Sequence, residues 1–299
     1  MRFEYEARTA CICGETLEGA SQIITNTLVQ GTVRFVRCER CGSWCQSPQI
    51  TQSSLALWFD SPDYQGRGST PGRIYYDYLA DEESRLHEAE GRYERDLKRD
   101  LVPGARVLEL GCATGSLLSV LRRHGHDVVG VDLSARFVEA ARKLYGLHVI
   151  SGDLLDVTLP HERFDAIILF GTMGNLQRLH TYLLRFRELL APAGILLFNF
   201  ADAGSFTARH VYRSRFWMFT PSVNSFMSGD GCRIAMERAG FTIQTMRTDH
   251  QQPSLQKLLN HSGLRWGVPI LKRLGMAGVI LPVPLPIPSI RLVKATCAG

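Results

Sequence analysis

The stretch from Arg106 to Asp132 constrains this chain more than any other. It opens with Val107-Leu108-Glu109-Leu110, a short apolar run of a length that suits a buried strand. A turn of small residues follows, with Gly111, Ala113 and Gly115 at alternate positions. Leu117, Leu118, Val120 and Leu121 then recur at helical spacing. A second apolar run, Val128 to Val131, ends in Asp132. The order is strand, glycine turn, helix, strand, acid. It predicts an α/β chain with a parallel sheet.

That order favours a nucleoside-type ligand. Glycines let the backbone approach a ligand with no Cβ in the way. The helix start behind the turn offers N–H groups that lack intrahelical partners. An acid closing the second strand can accept hydrogen bonds from both ribose hydroxyls. The rival is a dinucleotide, whose turn reads Gly-x-Gly-x-x-Gly. Here Ala113 and Ser116 occupy the second and third glycine positions. The turn is instead Glu-x-Gly-x-x-x-Gly, from Glu109 to Gly115. Glu109 would repel a pyrophosphate and suits a ligand that carries an amino group.

With these residues the sequence resembles the class I S-adenosylmethionine (SAM) methyltransferases. The resemblance rests on Val107 to Gly115, on Gly130-Val131-Asp132-Leu133-Ser134 and on Phe164-Asp165-Ala166-Ile167-Ile168. It continues through Leu189-Leu190-Ala191-Pro192-Ala193-Gly194, where the family has a Leu-Lys-Pro-Gly-Gly turn. It implies a Rossmann-like sheet of seven strands, the last inserted antiparallel, with helices on both faces. It also implies a cofactor site. Glu109 would engage the methionine ammonium, and Gly111, Cys112, Ala113 and Gly115 would form the close turn. Asp132 would meet the ribose, with Leu133 beside it. Asp153 would accept from the adenine amino group while Leu154 packs on the ring, with Asp156 as the alternative acid. Phe170 and Gly171, after the fourth strand, would face the transferred methyl.

Hydrophobic residues make up 45% of the 299 residues, as in an ordinary globular protein. The length suits one large domain, or one domain and a small module. A net charge of +5 permits an anionic acceptor without demanding one, and no Lys/Arg run marks a nucleic-acid arm. The charged N-terminus lacks a signal-type apolar stretch, which predicts a cytoplasmic protein. In that compartment the eight cysteines read as metal ligands or buried thiols, not disulfides.

Cys38-Glu39-Arg40-Cys41-Gly42 has the form of a zinc knuckle, and Cys11-Ile12-Cys13-Gly14 is its partner. Ile23-Ile24 and Val33 to Val36 read as short strands between them. Four thiolates satisfy tetrahedral zinc, which would hold together a module with little core of its own. The first pair departs from Cys-x-x-Cys by one residue, and Cys45 could replace Cys11 as the fourth ligand. Reduced thiols in a loop-rich segment are the alternative. The arrangement is similar to one group of methyltransferases, in which such a ribbon is followed by a Pro-containing turn, here Cys41 to Pro48, and a Tyr-rich segment. In that group the ribbon is structural or covers substrate. Its members methylate sugars, sugar nucleotides or other small biosynthetic intermediates.

Three regions follow: a zinc-ribbon-like module at 1–50, a linker and lid helix at 51–100, and the methyltransferase domain at 101–299. Gly66, Gly68 and Pro71-Gly72 give the linker its composition, and Tyr75, Tyr76 and Tyr78 open the helical segment. That helix either packs beside the sheet or covers the cofactor. Strands are expected at Arg106–Leu110, Asp127–Asp132, His148–Ser151, Phe164–Phe170, Ile195–Phe200, Thr242–Thr248 and Ile290–Ala295. Helices are expected near 115–124, 134–145, 178–190 and 230–239. Residues 202–228 form an aromatic insertion, with Phe206, Phe216 to Phe219 and Phe226-Met227 interleaved with Arg209, Arg213 and Arg215. It reads equally as packing or as a substrate wall, and the arginines could bind an anion. Residues 274–290 carry no charge and four prolines, so they should run extended rather than span a bilayer. A peripheral membrane contact is the alternative.

Related enzymes place imidazoles near positions that here hold Gly171, Gly174-Asn175 and Asn224. The proton-accepting group is then His210, Tyr212, His180 or Asp202, with His210 ranked above His180. Otherwise the acceptor is already ionised, or positioning alone carries the reaction. The leading reading is SAM-dependent methyl transfer to a small-molecule acceptor: a sugar nucleotide, a lipid-linked sugar or a natural-product intermediate. The alternatives are an rRNA or tRNA methyltransferase, and a non-catalytic SAM-binding scaffold. The sequence shows neither a strong basic patch nor the Asn/Asp-Pro-Pro-Tyr motif of enzymes that methylate nucleic-acid amino groups.

Overall fold

The computed structural model describes residues 2–18, 23–28, 31–62, 64, 79, 82–212, 222–251, 255, 259, 265–276, 279 and 285–298. Two compact units make up the chain. The first comprises Met1–Leu57, Asp153–Asp249 and Pro288–Gly299, and the second Trp58–Gly152 and His250–Ile287. These units cut across the division that composition suggests at residues 50 and 100.

Five short strands open the chain: β1 (Tyr5–Glu6), β2 (Ile23–Leu28), β3 (Gly31–Arg37), β4 (Trp44–Gln46) and β5 (Gln49–Ile50). β1 pairs with β5, and β2 pairs antiparallel with β3. α1 (Gln52–Phe59) follows, at the start of the segment read as linker. The glycines and prolines of that segment lie further on, whereas Leu55, Trp58 and Phe59 bury one apolar stripe of a helix.

The second unit contains the stretch that organises the sequence. α2 (Glu82–Arg92) continues as a π-helical turn, Tyr93–Leu97. β6 (Arg106–Leu110), α3 (Ser116–Arg123), β7 (Asp127–Asp132), α4 (Ala135–Tyr145) and β8 (Val149–Ser151) follow. β6 pairs parallel with β7, with Glu109 opposite Gly130, and β7 pairs parallel with β8. Val107, Leu108, Val129 and Val131 are buried, as strands covered on both faces require. α4 is closed at both ends: Ser134 Oγ accepts from Phe137 N, and Gly146 takes the left-handed conformation.

The first unit resumes with β9 (Phe164–Leu169), α5 (Leu179–Leu189), β10 (Leu190–Ala201), β11 (Ser225–Phe226), α6 (Gly229–Arg238), β12 (Phe241–Gln251) and β13 (Leu285–Cys297). β9 and β10 are parallel, and β13 lies antiparallel against β10 with Phe198 opposite Val293. The Rossmann-like sheet has seven strands. In the first unit they run in the order β12-β13-β10-β9, and in the second β6-β7-β8. The sheet is mostly parallel, with the last strand inserted antiparallel, as the resemblance implies.

Two strands differ from their apolar runs. β10 begins at Leu190, which pairs with Phe164 before the register shifts to Ile195. Gly194 sits in that shift, where a Cβ would lie 3.0 Å from the carbonyl oxygens of Ala191 and Phe164. β13 begins inside the proline run, although its register with β10 starts only at Ile290. Prolines lack the N–H a ladder needs, and the register with β10 begins beyond them.

β11 pairs with β4, with Phe226 opposite Trp44, giving a second sheet in the order β11-β4-β3-β2. The cysteine-bearing segment thus shares its sheet with residues 225–226. The rings of Phe35 and Phe226 lie 5.3 Å apart beneath it. Tyr75, Tyr76, Tyr78, Arg213, Arg215, Phe216 to Phe219 and Leu281 to Pro284, all singled out in the sequence, lie outside the described residues. No helix among the described residues is long and apolar enough to cross a membrane.

Gly130 is a tight point between the turn and the strands. A Cβ there would meet Cys112 Sγ and Leu118 Cδ1 at 2.7 Å. Gly130→Val should therefore lower the unfolding free energy by about 1–3 kcal/mol, measured as a reduced urea midpoint. An unchanged midpoint would show that these groups repack at no cost.

Candidate functional site

The turn after β6 is built from residues in the left-handed region. Gly111, Ala113 and Gly115 have φ of 75°, 47° and 80°. Ala113 is the only non-glycine with positive φ among the described residues, and Asp132 holds it there. Ala113 N donates to Asp132 Oδ2 at 2.8 Å, and Ser134 N donates to Oδ1 at 2.8 Å. Each carboxylate oxygen keeps a second lone pair. Two free acceptors about a carboxylate's width apart suit a pair of vicinal hydroxyls. Cys112 turns its thiol inward against Gly130, so this position serves packing. Gly115 must be glycine for space as well as φ, since a Cβ would lie 2.5 Å from Leu147 Cδ1.

Glu109 is buried, and its Oε2 has no hydrogen-bond partner among the described residues. Burial pushes its carboxyl up to about 8, against the pull of the Arg85 guanidinium, and the charge of Asp132 adds to the rise. Asp132 is pushed up to about 6, again by burial, opposed by the two N–H donors. Three further charged groups of this unit belong to the surroundings, and the sequence reading missed all of them. Ser134 Oγ donates to Asp60 Oδ1 at 2.6 Å, joining the start of α4 to the residue after α1. Glu82, at the start of α2, accepts from Ser116 Oγ and Tyr145 Oη, both at 2.7 Å. Arg85 approaches Glu82 at 3.8 Å. Asp60, Glu82, Glu109 and Asp132 outnumber Arg85, so this half-site suits a cation-bearing ligand and disfavours a pyrophosphate.

In the first unit, Asp153 is held by the chain's own donors. Its Oδ1 accepts from Tyr182 Oη at 2.6 Å and Leu155 N at 2.9 Å, and its Oδ2 from Gln52 Nε2 at 2.9 Å. Leu154 is buried beside it. Phe170 and Gly171 leave the end of β9. Gly171 N donates to Asn199 Oδ1 at 2.7 Å, and Asn199 Nδ2 donates to Asp249 Oδ2 at 2.9 Å. Asn224, where related enzymes place an imidazole, is buried and donates through Nδ2 to the carbonyls of Leu176 and Gln177 at 3.3 Å. Its Oδ1 is buried without a partner among the described residues.

The candidate proton acceptors are spread over the first unit. His180 is exposed near the start of α5. His210 is exposed on the turn Thr207–Tyr212, where its ring stacks obliquely on Phe206 at 4.7 Å. The Tyr212 side chain lies outside the described ones. Asp202 is buried, accepting from Arg291 Nε at 2.9 Å and Gly204 N at 2.8 Å.

The cysteines converge. The sulfurs of Cys11, Cys13, Cys38 and Cys41 all lie within 4.8 Å of one another. Cys11 and Cys41 are 3.5 Å apart, and Cys13 and Cys38 3.7 Å. A tetrahedral zinc tetrathiolate with bonds near 2.3 Å has sulfur–sulfur edges of about 3.8 Å, so the set fits that ion. Both knuckles close with a left-handed glycine, Gly14 at φ 88° and Gly42 at φ 73°. Cys45 Sγ lies 3.7 Å from Cys11 Sγ but outside the set of four. Ser228, the N-cap of α6, donates its N–H to Ser43 Oγ at 3.0 Å, and its hydroxyl donates to the Cys41 carbonyl.

The raised carboxyl of Glu109 has a signed consequence. Its proton stays on in the folded chain between its ordinary value of 4.5 and about 8. The folded state binds more protons there, so Glu109 costs stability progressively as pH rises through that window. Glu109→Gln cannot ionise, and the variant should gain stability relative to the native chain between pH 5 and 9. Urea unfolding at both pH values measures this, and a pH-independent difference would remove the assignment.

A family model described as a methyltransferase domain matches residues 83–246, more than half of the chain. Over 115 residues the chain is 32% identical to the ubiquinone biosynthesis O-methyltransferase of Cereibacter sphaeroides, a match covering 35% of this chain and 45% of that protein. It is 32% identical over 109 residues to the malonyl-(acyl-carrier protein) O-methyltransferase of Priestia megaterium, covering 35% and 39%. The match thus spans less than half the length of these curated relatives. Among solved structures, the magnesium protoporphyrin IX methyltransferase of Synechocystis with bound SAH shares the fold at a TM-score of 0.53 and 14% identity, over 83% of this chain and all of that one. A SAM-dependent methyltransferase from Archaeoglobus fulgidus does so at 0.51 and 16%, over 74% and 99%. The chain belongs to the family of SAM-dependent methyltransferase domains.

Proposed function

We propose that the chain transfers a methyl group from SAM to a small biosynthetic metabolite: a sugar nucleotide, a lipid-linked sugar or a natural-product intermediate. The observation that carries this reading is the buried, unpartnered Glu109 oxygen beside the positive-φ turn and Asp132. Glu109 would hold the cofactor's ammonium, the turn 111–115 would pass close to its methionine part, and Asp132 would accept from the ribose hydroxyls. When bound, the cofactor supplies an electrophilic methyl on a sulfonium. The acids around Glu109 would favour binding of that positive charge. The named relatives, for ubiquinone biosynthesis and malonyl-(acyl-carrier protein), support a small acceptor. His210 is the favoured proton acceptor, since it follows β10 on the turn that also carries Arg209. His180 and Tyr212 remain the other candidates.

We further propose that Cys11, Cys13, Cys38 and Cys41 bind one structural zinc, as in the ribbon-bearing group. The closed set of four buried thiols supports a structural site, which offers no open position for chemistry.

Asp132→Ala should weaken SAM binding about tenfold or more, because hydrogen bonds to a charged acceptor are among the stronger ones. Equilibrium dialysis with methyl-labelled SAM measures it, and near-native affinity would sink the ribose assignment. The same labelled SAM, incubated with the protein and host extract, should deliver label to the small-molecule or lipid fraction. Label in RNA would overturn the acceptor class. For the metal, mass spectrometry of the purified chain should find one zinc, and Cys13→Ser with Cys41→Ser should lose it together with cooperative unfolding. A metal-free chain of unchanged stability would leave the cysteines as plain thiols.

A further inference from the structure

A polar cavity of about 260 Å³ opens in the first unit, with Arg209, Arg233, Arg291, Asp202, Ser228 and Gly229 in its wall. It lies beyond the carboxyl end of β10: Asp202 follows that strand directly, and Arg291 on β13 stands opposite Phe200. Open α/β sheets bind ligands at that edge. The volume is below the roughly 300–1,000 Å³ of a pocket that takes a whole small molecule. It therefore suits one polar group of a larger ligand.

Three guanidiniums reach this space from three separate elements. Arg291 is held by Asp202, which is 4% exposed, through a 2.9 Å bond from Nε. That bond spends the charge of Asp202 and fixes the guanidinium in place. Arg233 leaves the second turn of α6 and folds back over its start, where Nη1 would lie 3.6 Å from a Cβ on Gly229. Its partner Asp230 sits at 3.0 Å, but the two side chains are 61% and 79% exposed, so the pair is readily exchanged. Arg209 is exposed and has no ion-pair partner among the described residues. The ten-residue helix α6 also opens here, and Ser228 caps it by accepting from Gly231 N. Earlier N–H groups of such a helix have no intrahelical partner. Glycine at 204 and 229 leaves the backbone open to a ligand.

The donor count selects the ligand chemistry. A carboxylate has two oxygens and is satisfied by one guanidinium fork. Arg209, Arg233, the remaining N–H groups of Arg291 and a helix start exceed it, although Asp202 and Asp230 also line the wall. A phosphate or diphosphate offers more acceptor oxygens and enough negative charge to meet them. We propose that this cavity is an anion subsite that takes the phosphate or diphosphate group of the methyl acceptor. The word acceptor rests on the methyltransferase reading, whereas binding of the anion does not.

Inorganic pyrophosphate is the probe, titrated into the full chain by calorimetry, with labelled SAM binding measured in parallel. One pyrophosphate should bind per chain. The double variant Arg209→Ala with Arg233→Ala should weaken that binding about tenfold or more, with circular dichroism and SAM affinity unchanged. Both arginines are exposed, so the variant should fold; Arg291 is left in place because it neutralises buried Asp202. Absence of saturable pyrophosphate binding, or equal binding by the double variant, would overturn the subsite. Loss of SAM binding with pyrophosphate binding intact would instead count against the cofactor reading and leave the subsite standing.

Discussion

Two carboxylates at the ends of paired strands govern what this chain can do. A buried, unpaired carboxylate is costly, and the chain relieves that cost differently at each acid. Asp132 is stabilised by the N–H groups of Ala113 and Ser134. Reaching the first of these requires the left-handed backbone of the turn, so the glycines, the strained alanine and the acid form one device. Glu109 receives no such relief at Oε2. In the folded chain it holds its proton toward neutral pH, and a cationic ligand is the natural means of drawing out its charge.

Around that device the sheet was largely legible in the sequence. Its strands are apolar runs bounded by turns, and the acid and glycines of the turn are separated by fixed local spacing. The neighbours of the site were not legible, because they arrive from remote segments. Asp60, Glu82 and Arg85 carry no pattern of their own and look like ordinary surface charges. Tyr182 and Gln52 reach Asp153 across 29 and 101 residues of chain. The early start of β10 was hidden for another reason: Pro192 and Gly194 read as a turn, whereas the backbone uses them to shift register within a strand.

The cysteine segment is tied to the rest of the first unit by polar contacts as well as by strand pairing. Ser228 links the knuckle of Cys41 and Ser43 to the start of α6. Gly231 allows the approach, since a Cβ there would lie 2.2 Å from Ser43 Oγ. The same helix start lines the arginine cavity. A knuckle remote from the turn at Glu109 in sequence thus sets the position of the helix start that lines this cavity, a role for a structural element that composition does not express.

The pairing of β11 with β4 has a consequence for how the chain is made. β4 ends at Gln46, and its outer neighbour is residues 225–226. During vectorial synthesis that edge has no native partner until the ribosome has added the intervening stretch. At roughly 5–20 residues per second the wait is on the order of ten to forty seconds. The cysteines that converge all precede that interval, so the two knuckles can meet early while the strand beside them stands open. The nascent chain must shield this edge, or have it shielded, until the strand that pairs with it has been made.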